Sequence, residues 1–412
     1  MIDYSQFMLE NGLQVIVSTD TATPMVAFNI LYNVGAKDEH PDKTGFAHLF
    51  EHLMFGGSVN IPSYDEPLQK AGGENNAFTN NDFTNYYMSI PRQNLDTAFW
   101  LESDRMLDLA FSEKSLDVQR QVVIEEFKQR YLNQPYGDFW MLMRPFVYKA
   151  HPYQWSTIGK DISHIENATM DDVRTFYHKF YHPKNAIVSV VGNITEAEVR
   201  SLCNTWFAPI IKGEPYMRNI PKEPMQHERR NLSVERDVPF DMICKAFHMC
   251  ARMDNDYYAT DMLSDILSNG NSSRLYNTLV KEKKLFSEVD AHISGDIEEG
   301  LFIFSGKLIK GITMEQAEAA IDEEIERIKN IPIPEHELNK IKNKIESNMI
   351  FSNESILNRA LKLAISTLLG DTEMVNTETE KYLQVTAADI QQMANNILID
   401  SNCSALYYHA KK

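Results

Sequence analysis

The chain has 412 residues, of which 43% are apolar and 24% charged, an ordinary globular composition long enough for two or three domains and more than one core. No apolar run of about 18 residues suggests a membrane span. The net charge of −18 opposes nucleic-acid backbones and anionic membranes over most of the surface, while it tolerates cationic peptides.

In chain order, the opening "MIDYSQFMLENGLQVIV" lacks the basic and apolar regions of an export signal and reads as a hairpin turning at Asn11-Gly12, so a cytoplasmic location is expected. Met25 to Ala36 reads as a buried strand. It leads into Gly45 to Ser58, "GFAHLFEHLMFGGS". If Lys43 to Phe55 is helical, His48 and His52 stand at i and i+4 on one face, a spacing that suits a zinc ion. Glu51 lies beside them, placed to move a proton rather than to bind metal. The order H-x-x-E-H is the inverse of the commoner zinc motif. Three fixed residues are a short signal, and a polar patch on an ordinary helix is the alternative.

Next comes "AGGENNAFTNNDFTNYYMSI". Phe83 to Ile90 is expected to be a strand. Asn76, Ala77 and Phe78 read as an exposed edge strand able to accept a peptide, or else as a hairpin loop. Helices are expected over Gln93 to Leu109 and Glu113 to Leu132, with another interrupted at Pro145. In the second of these Glu126 has Val122 and Val123 at i−4 and i−3, so it sits nearer the apolar face than Glu125 does. A carboxylate there needs a partner, either a metal or a buried cation.

Capping boxes at Thr169 and Thr195 start two more helices, with the strand "NAIVSVVGN" between them. Pro209, Gly213, Pro215, Pro221 and Pro224 then break all periodicity, which marks a linker. The second half repeats the first at an offset of 217 residues: Thr386 answers Thr169, Asn402 answers Asn185, and "MICKAFHMCA" answers "MVAFNILYNV". The fold class is therefore α+β, with two homologous domains, each a mixed, largely antiparallel sheet packed with helices. Residues 1–210 form the metal-bearing domain, 211–228 the linker and 229–412 the second domain. His48 and His52 fall on Asp265 and Asn269, so one zinc per chain is expected. The four cysteines, Cys203, Cys244, Cys250 and Cys403, lack C-x-x-C spacing and read as buried free thiols. No phosphate loop, dinucleotide fingerprint or serine elbow occurs.

The pieces "LENGLQVIV", "GFAHLFEHLMFGGS", "GGENNAFTNNDFTNYY", "VVIEEFKQRY", "HPYQWSTIG" and "NAIVSVVGNI" together resemble the insulinase-type metallopeptidases, also called the pitrilysin or mitochondrial-processing-peptidase family. The resemblance covers essentially the whole chain and points to the short bacterial branch, in which two chains form a chamber. It implies a zinc endopeptidase with His48, His52 and Glu126 as ligands, Glu125 as the fallback, and Glu51 as general base. Asn76, Ala77 and Phe78 would hold an extended peptide substrate. Only 73 residues separate His52 from Glu126, slightly fewer than the family pattern, and Gln119 stands where the family tends to have another Glu. The family's Arg and Tyr that bind the substrate carbonyl fall on Val280 and Ser287. This implies a dimer, and specifically a heterodimer with a zinc-less relative that supplies them, unless Tyr276 substitutes. A structural subunit, or one that binds peptides without cutting them, is the rival reading.

Overall fold

The apolar run that begins at Met25 forms strand β3 (Met25–Tyr32), buried at every residue after the first, so both of its faces are covered. In the computed structural model, which describes residues 1–411, β3 lies inside a six-stranded sheet. The sheet's other members are β1 (Ser5–Met8), β2 (Gln14–Thr19), β4 (Glu74–Thr79), β5 (Thr84–Pro91) and β6 (Ala186–Gly192), in the order β1-β2-β6-β3-β5-β4. Pairing is antiparallel except between β2 and β6. The opening hairpin forms as expected, with Gly12 at φ +91 in its turn.

A second sheet contains β7 (Arg230–Arg236), β8 (Met242–His248), β9 (Phe286–Ile293), β10 (Leu301–Leu308) and β11 (Cys403–Ala410), in the order β7-β11-β8-β10-β9. Here too a single pair, β7 with β11, is parallel. The repeat read from the sequence is thus a repeat of topology. In each sheet the central strand (β3 or β8) lies between the late-arriving strand (β6 or β11) and a hairpin whose far strand (β4 or β9) is an edge.

Each sheet belongs to its own compact unit, and the units are not sequential. Unit 1 comprises residues 1–132, 151–221 and 350–377; unit 2 comprises 133–150, 222–349 and the chain from Glu378. Two segments therefore lie in the unit other than the one their position in the chain suggests. Helix Ile356–Leu368 buries Ala360, Leu363 and Ala364 and packs on β3 and β6, with Ser189 Oγ donating to the Ala360 carbonyl. Residues 133–150 stay with unit 2 because Asp138 accepts from Arg236 Nε (2.7 Å) and the Tyr408 hydroxyl (2.9 Å), while Arg230 donates to the Val147 carbonyl (2.6 Å). The Pro-rich stretch is extended coil pinned at two points. Arg218 grips Asp38 and the Asn33 carbonyl in unit 1, and Gln226 donates to the Cys403 carbonyl in unit 2. Cys203, Cys244 and Cys403 are buried free thiols, and Cys250 is partly exposed. Among the described residues no helix is long and apolar enough to cross a membrane.

Unit 2 also has an open pocket of about 550 Å³ whose lining includes His248, Met249, Met393 and Ile397. Burial pushes the His248 imidazole down to about 4. A histidine whose folded value lies below its unfolded one contributes stability that is full above about 6.5 and is lost as pH falls towards 4. Unfolding by urea across that window should show wild type losing roughly 2 kcal/mol more than His248→Leu, after discounting for partial exposure. Identical pH slopes for the two proteins would remove His248 from the acid sensitivity.

Candidate metal centre

The helix that carries the inverted motif runs from Phe46 to Leu53, shorter at both ends than the expected Lys43 to Phe55. Its N-terminal boundary is set by Gly45, which adopts φ +89; a Cβ there would approach the Ile158 carbonyl oxygen to 2.7 Å. Gly45 has no side chain to cap the helix, and a residue from the preceding loop does so instead. Glu39 accepts from the Gly45 N–H through Oε2 (2.9 Å) and from the Ala47 N–H through Oε1 (2.8 Å). Burial pushes the Glu39 carboxyl up to about 8, against the pull of those two N–H groups. Phe46, Ala47, Leu49, Phe50 and Leu53 face the core, which leaves His48, Glu51 and His52 on the other side of the helix.

Opposite them stands helix Glu113–Phe127, capped by Ser112, whose Oγ accepts from the Ser115 N–H. Its buried residues are Leu116, Val123, Ile124 and Phe127. Val122, assigned to the apolar face from its spacing, is 44% exposed, so Val123 alone carries that part of the argument. The difference arises because i−4 and i−3 lie on either side of Glu126, and only the i−3 side meets the core. Glu126 Oε2 lies 3.7 Å from His48 Nε2 and 3.5 Å from His52 Nε2, and the two imidazole rings are nearly perpendicular. Ligand atoms at about 2.1 Å around a tetrahedral zinc stand roughly 3.4 Å apart. One donor atom from each of His48, His52 and Glu126 fits within a 4.8 Å cluster, the only such group of three among the described residues. Burial pushes His48 down to about 4, so its ring is neutral and has a lone pair to offer. Hydrogen bonding to His52 holds the Glu126 carboxyl below its usual range. Glu125 instead points outward, 68% exposed and paired with Lys128.

Glu51 is the fourth polar group of the site. Burial raises its carboxyl above the usual range, opposed by hydrogen bonds from Thr79, the last residue of β4. The motif helix is thereby tied to the strand that holds Asn76, Ala77 and Phe78. That strand is β4, and it pairs only with β5, so its outer edge is open among the described residues.

At the corresponding place in unit 2, Asn269 donates to Asp265 and Lys344 donates to Asn269 Oδ1. At the offset of 217, Glu126 falls on Asn343, next to Lys344. An ammonium therefore stands beside the residues that replace the two histidines. Farther on, Val280 lies in the π-helical turn Tyr276–Glu282, partly buried against the core, and Ser287 Oγ donates to the Lys307 carbonyl.

Three residues near the metal-ligand cluster went unread in the sequence: Glu39, Thr79 and Arg130, whose Nη1 lies 2.8 Å from Glu126 Oε1. Arg130 is four residues after Glu126, so the helical pairing rule could have found it. Glu39 and Thr79 reach the site through loop and sheet geometry that spacing does not encode.

Residues 14–139 match the family described as Insulinase (Peptidase family M16), and residues 167–345 match Peptidase M16 inactive domain. The chain is similar to the zinc protease PqqE of Helicobacter pylori, with 30% identity over 409 residues, 97% of this chain and 91% of that protein. It is also similar to the uncharacterized zinc protease YmxG of Bacillus subtilis, with 23% identity over 352 residues, 85% of this chain and 84% of that protein. Its fold matches the crystal structure of a protease from Helicobacter pylori with a TM-score of 0.92 at 30% identity, covering 99% of this chain and all of that one. A relative this similar over nearly the full length of both chains leaves one assignment: the protein belongs to the insulinase family, peptidase family M16, in its short two-domain form.

Proposed function

We propose that the chain is a zinc-dependent endopeptidase that hydrolyses peptides held extended along β4 within a chamber formed by two chains. The observation that carries this reading is the convergence of His48, His52 and Glu126 on one point, with Glu51 beside them and tied to the edge strand. A bound zinc would supply Lewis acidity, polarising a peptide carbonyl and making water a nucleophile near neutral pH. His48, His52 and Glu126 would hold it, the two imidazoles as neutral ligands and Glu126 through Oε2.

The chain's own residues do the rest. The Glu51 carboxylate takes the proton of the attacking water and returns it to the nitrogen of the leaving amine. Its raised pKa, caused by burial, brings it closer to the working pH than an exposed carboxylate would be. The free edge of β4, around Asn76, Ala77 and Phe78, offers main-chain N–H and C=O groups to an extended substrate. Such pairing reads conformation more than side chains and implies broad specificity.

Metal analysis of the purified chain tests the centre. We expect about one zinc per chain, lost in Glu126→Gln and retained in Glu125→Gln, because only Glu126 faces the imidazoles. Retention of zinc in Glu126→Gln would reject it as a ligand. A second reading, a subunit that binds peptides without cutting them, is favoured by the lack of an oxyanion donor at Val280 and Ser287. It predicts zinc without cleavage under every pairing of chains. The form we propose is a heterodimer with a zinc-less relative.

A further inference from the structure

Glu126 differs from its neighbour Glu125 in how its two oxygens are used. Oε2 faces both imidazoles, at 3.7 and 3.5 Å. Oε1 is taken by Arg130 Nη1 at 2.8 Å, four residues later, where the chain leaves the regular helix for the π-helical turn Lys128–Leu132. The two ends of this pair are in different surroundings, since the Glu126 side chain is 16% exposed and that of Arg130 is 68% exposed. An ion pair with one member in open solvent contributes little to stability. What it does fix is orientation. A carboxylate with both oxygens free can present either one, or both together, to a metal, and a cation held against one oxygen commits the other.

We propose that Arg130 is a positioning residue for the metal centre: by holding Glu126 Oε1 it leaves Oε2 as the single oxygen directed at the cluster with His48 and His52. The inference rests on the metal-site reading above and adds a role to it. A carboxylate ligating through one oxygen keeps a coordination position for water and substrate, whereas a carboxylate ligating through two occupies it. Groups that orient ligands in this way set metal affinity, and their loss typically costs about 10- to 100-fold. The exposure of Arg130 places the expected loss near the lower figure.

The experiment uses the full chain stripped of metal, then titrated with zinc alone against a chromophoric chelator, and with cobalt(II) alone while the visible absorption is recorded. Wild type should show the strong visible bands of four-coordinate cobalt. Arg130→Met should bind zinc about 10-fold more weakly and give weaker bands, as a second carboxylate oxygen raises the coordination number. Arg130→Lys, which keeps a charged donor, should recover part of both. Circular dichroism checks the fold of each variant, and Arg130→Gln serves if Arg130→Met does not fold. Wild-type affinity and spectrum in Arg130→Met would overturn the role of Arg130 while leaving the metal site intact. An unchanged cobalt spectrum would overturn positioning whatever the affinity, and tighter zinc binding beside it would mark a through-space effect, the loss of a cation that repels the metal. Uptake of neither metal by the wild type would overturn the metal-site reading, and the Arg130 inference with it.

Discussion

Glu51→Gln should retain zinc and fold like the wild type while lowering kcat by about 10²- to 10⁴-fold, the usual contribution of a positioned general base. The three donor atoms of the cluster come from His48, His52 and Glu126, so an amide at position 51 removes no ligand. Burial raises the Glu51 carboxyl, which means that the folded protein disfavours its charged form. Exchanging it for a neutral amide should therefore leave the thermal midpoint unchanged or raise it. The same shift sets the pH profile. The acid limb of kcat/KM should lie above the ordinary carboxylate range, with activity falling as pH drops through the Glu51 value. Substantial turnover by a zinc-loaded Glu51→Gln protein would reject the role.

The second large effect concerns Val280 and Ser287, where the resemblance to the family would place an Arg and a Tyr. Removing one oxyanion donor typically costs about 2.7–4 kcal/mol, or roughly 10²- to 10³-fold in kcat. Val280 has no polar group, and the Ser287 hydroxyl is hydrogen-bonded to a main-chain carbonyl. Tyr276 lies at the start of the same π-helical turn, with the Lys281 ammonium 5.2 Å from its ring centroid. The purified chain assayed alone should thus cleave a peptide library slowly, and a zinc-less relative carrying Arg and Tyr should raise the rate by about two orders of magnitude or more. High activity without a partner would refute the heterodimer, and loss of that activity in Tyr276→Phe would identify the substitute donor.

The parts of this protein that were legible in its sequence are those written in local periodicity. The i, i+4 spacing of His48 and His52, the capping boxes at Thr169 and Thr195, and the match of Thr386 to Thr169 all reappear in the structure. For Asn76 to Phe78 the residues left an edge strand and a hairpin loop both open, and the structure forms the strand. What escaped depends on contacts between distant segments. Helix Ile356–Leu368 looks like any amphipathic helix, and nothing in its spacing says that it covers β3 and β6 rather than a strand of its own half. Glu39 likewise reads as a loop residue until the fold brings it to the start of the motif helix. The choice of Glu126 over Glu125 rested partly on Val122, which proved exposed; Val123 and the helix phase were sufficient.

The Lys344 ammonium beside Asp265 and Asn269 makes the two halves differ in what they need from their surroundings. A cation on a tether is present at a fixed effective concentration from the moment its helix forms, independent of supply. A metal ion is a ligand that must be acquired, and its contribution to stability rises and falls with its free concentration. Unit 2 therefore completes its polar cluster from the polypeptide alone, even in a cell starved of metal. If unit 1 holds the zinc proposed above, scarcity would reach that unit alone and remove its chemistry.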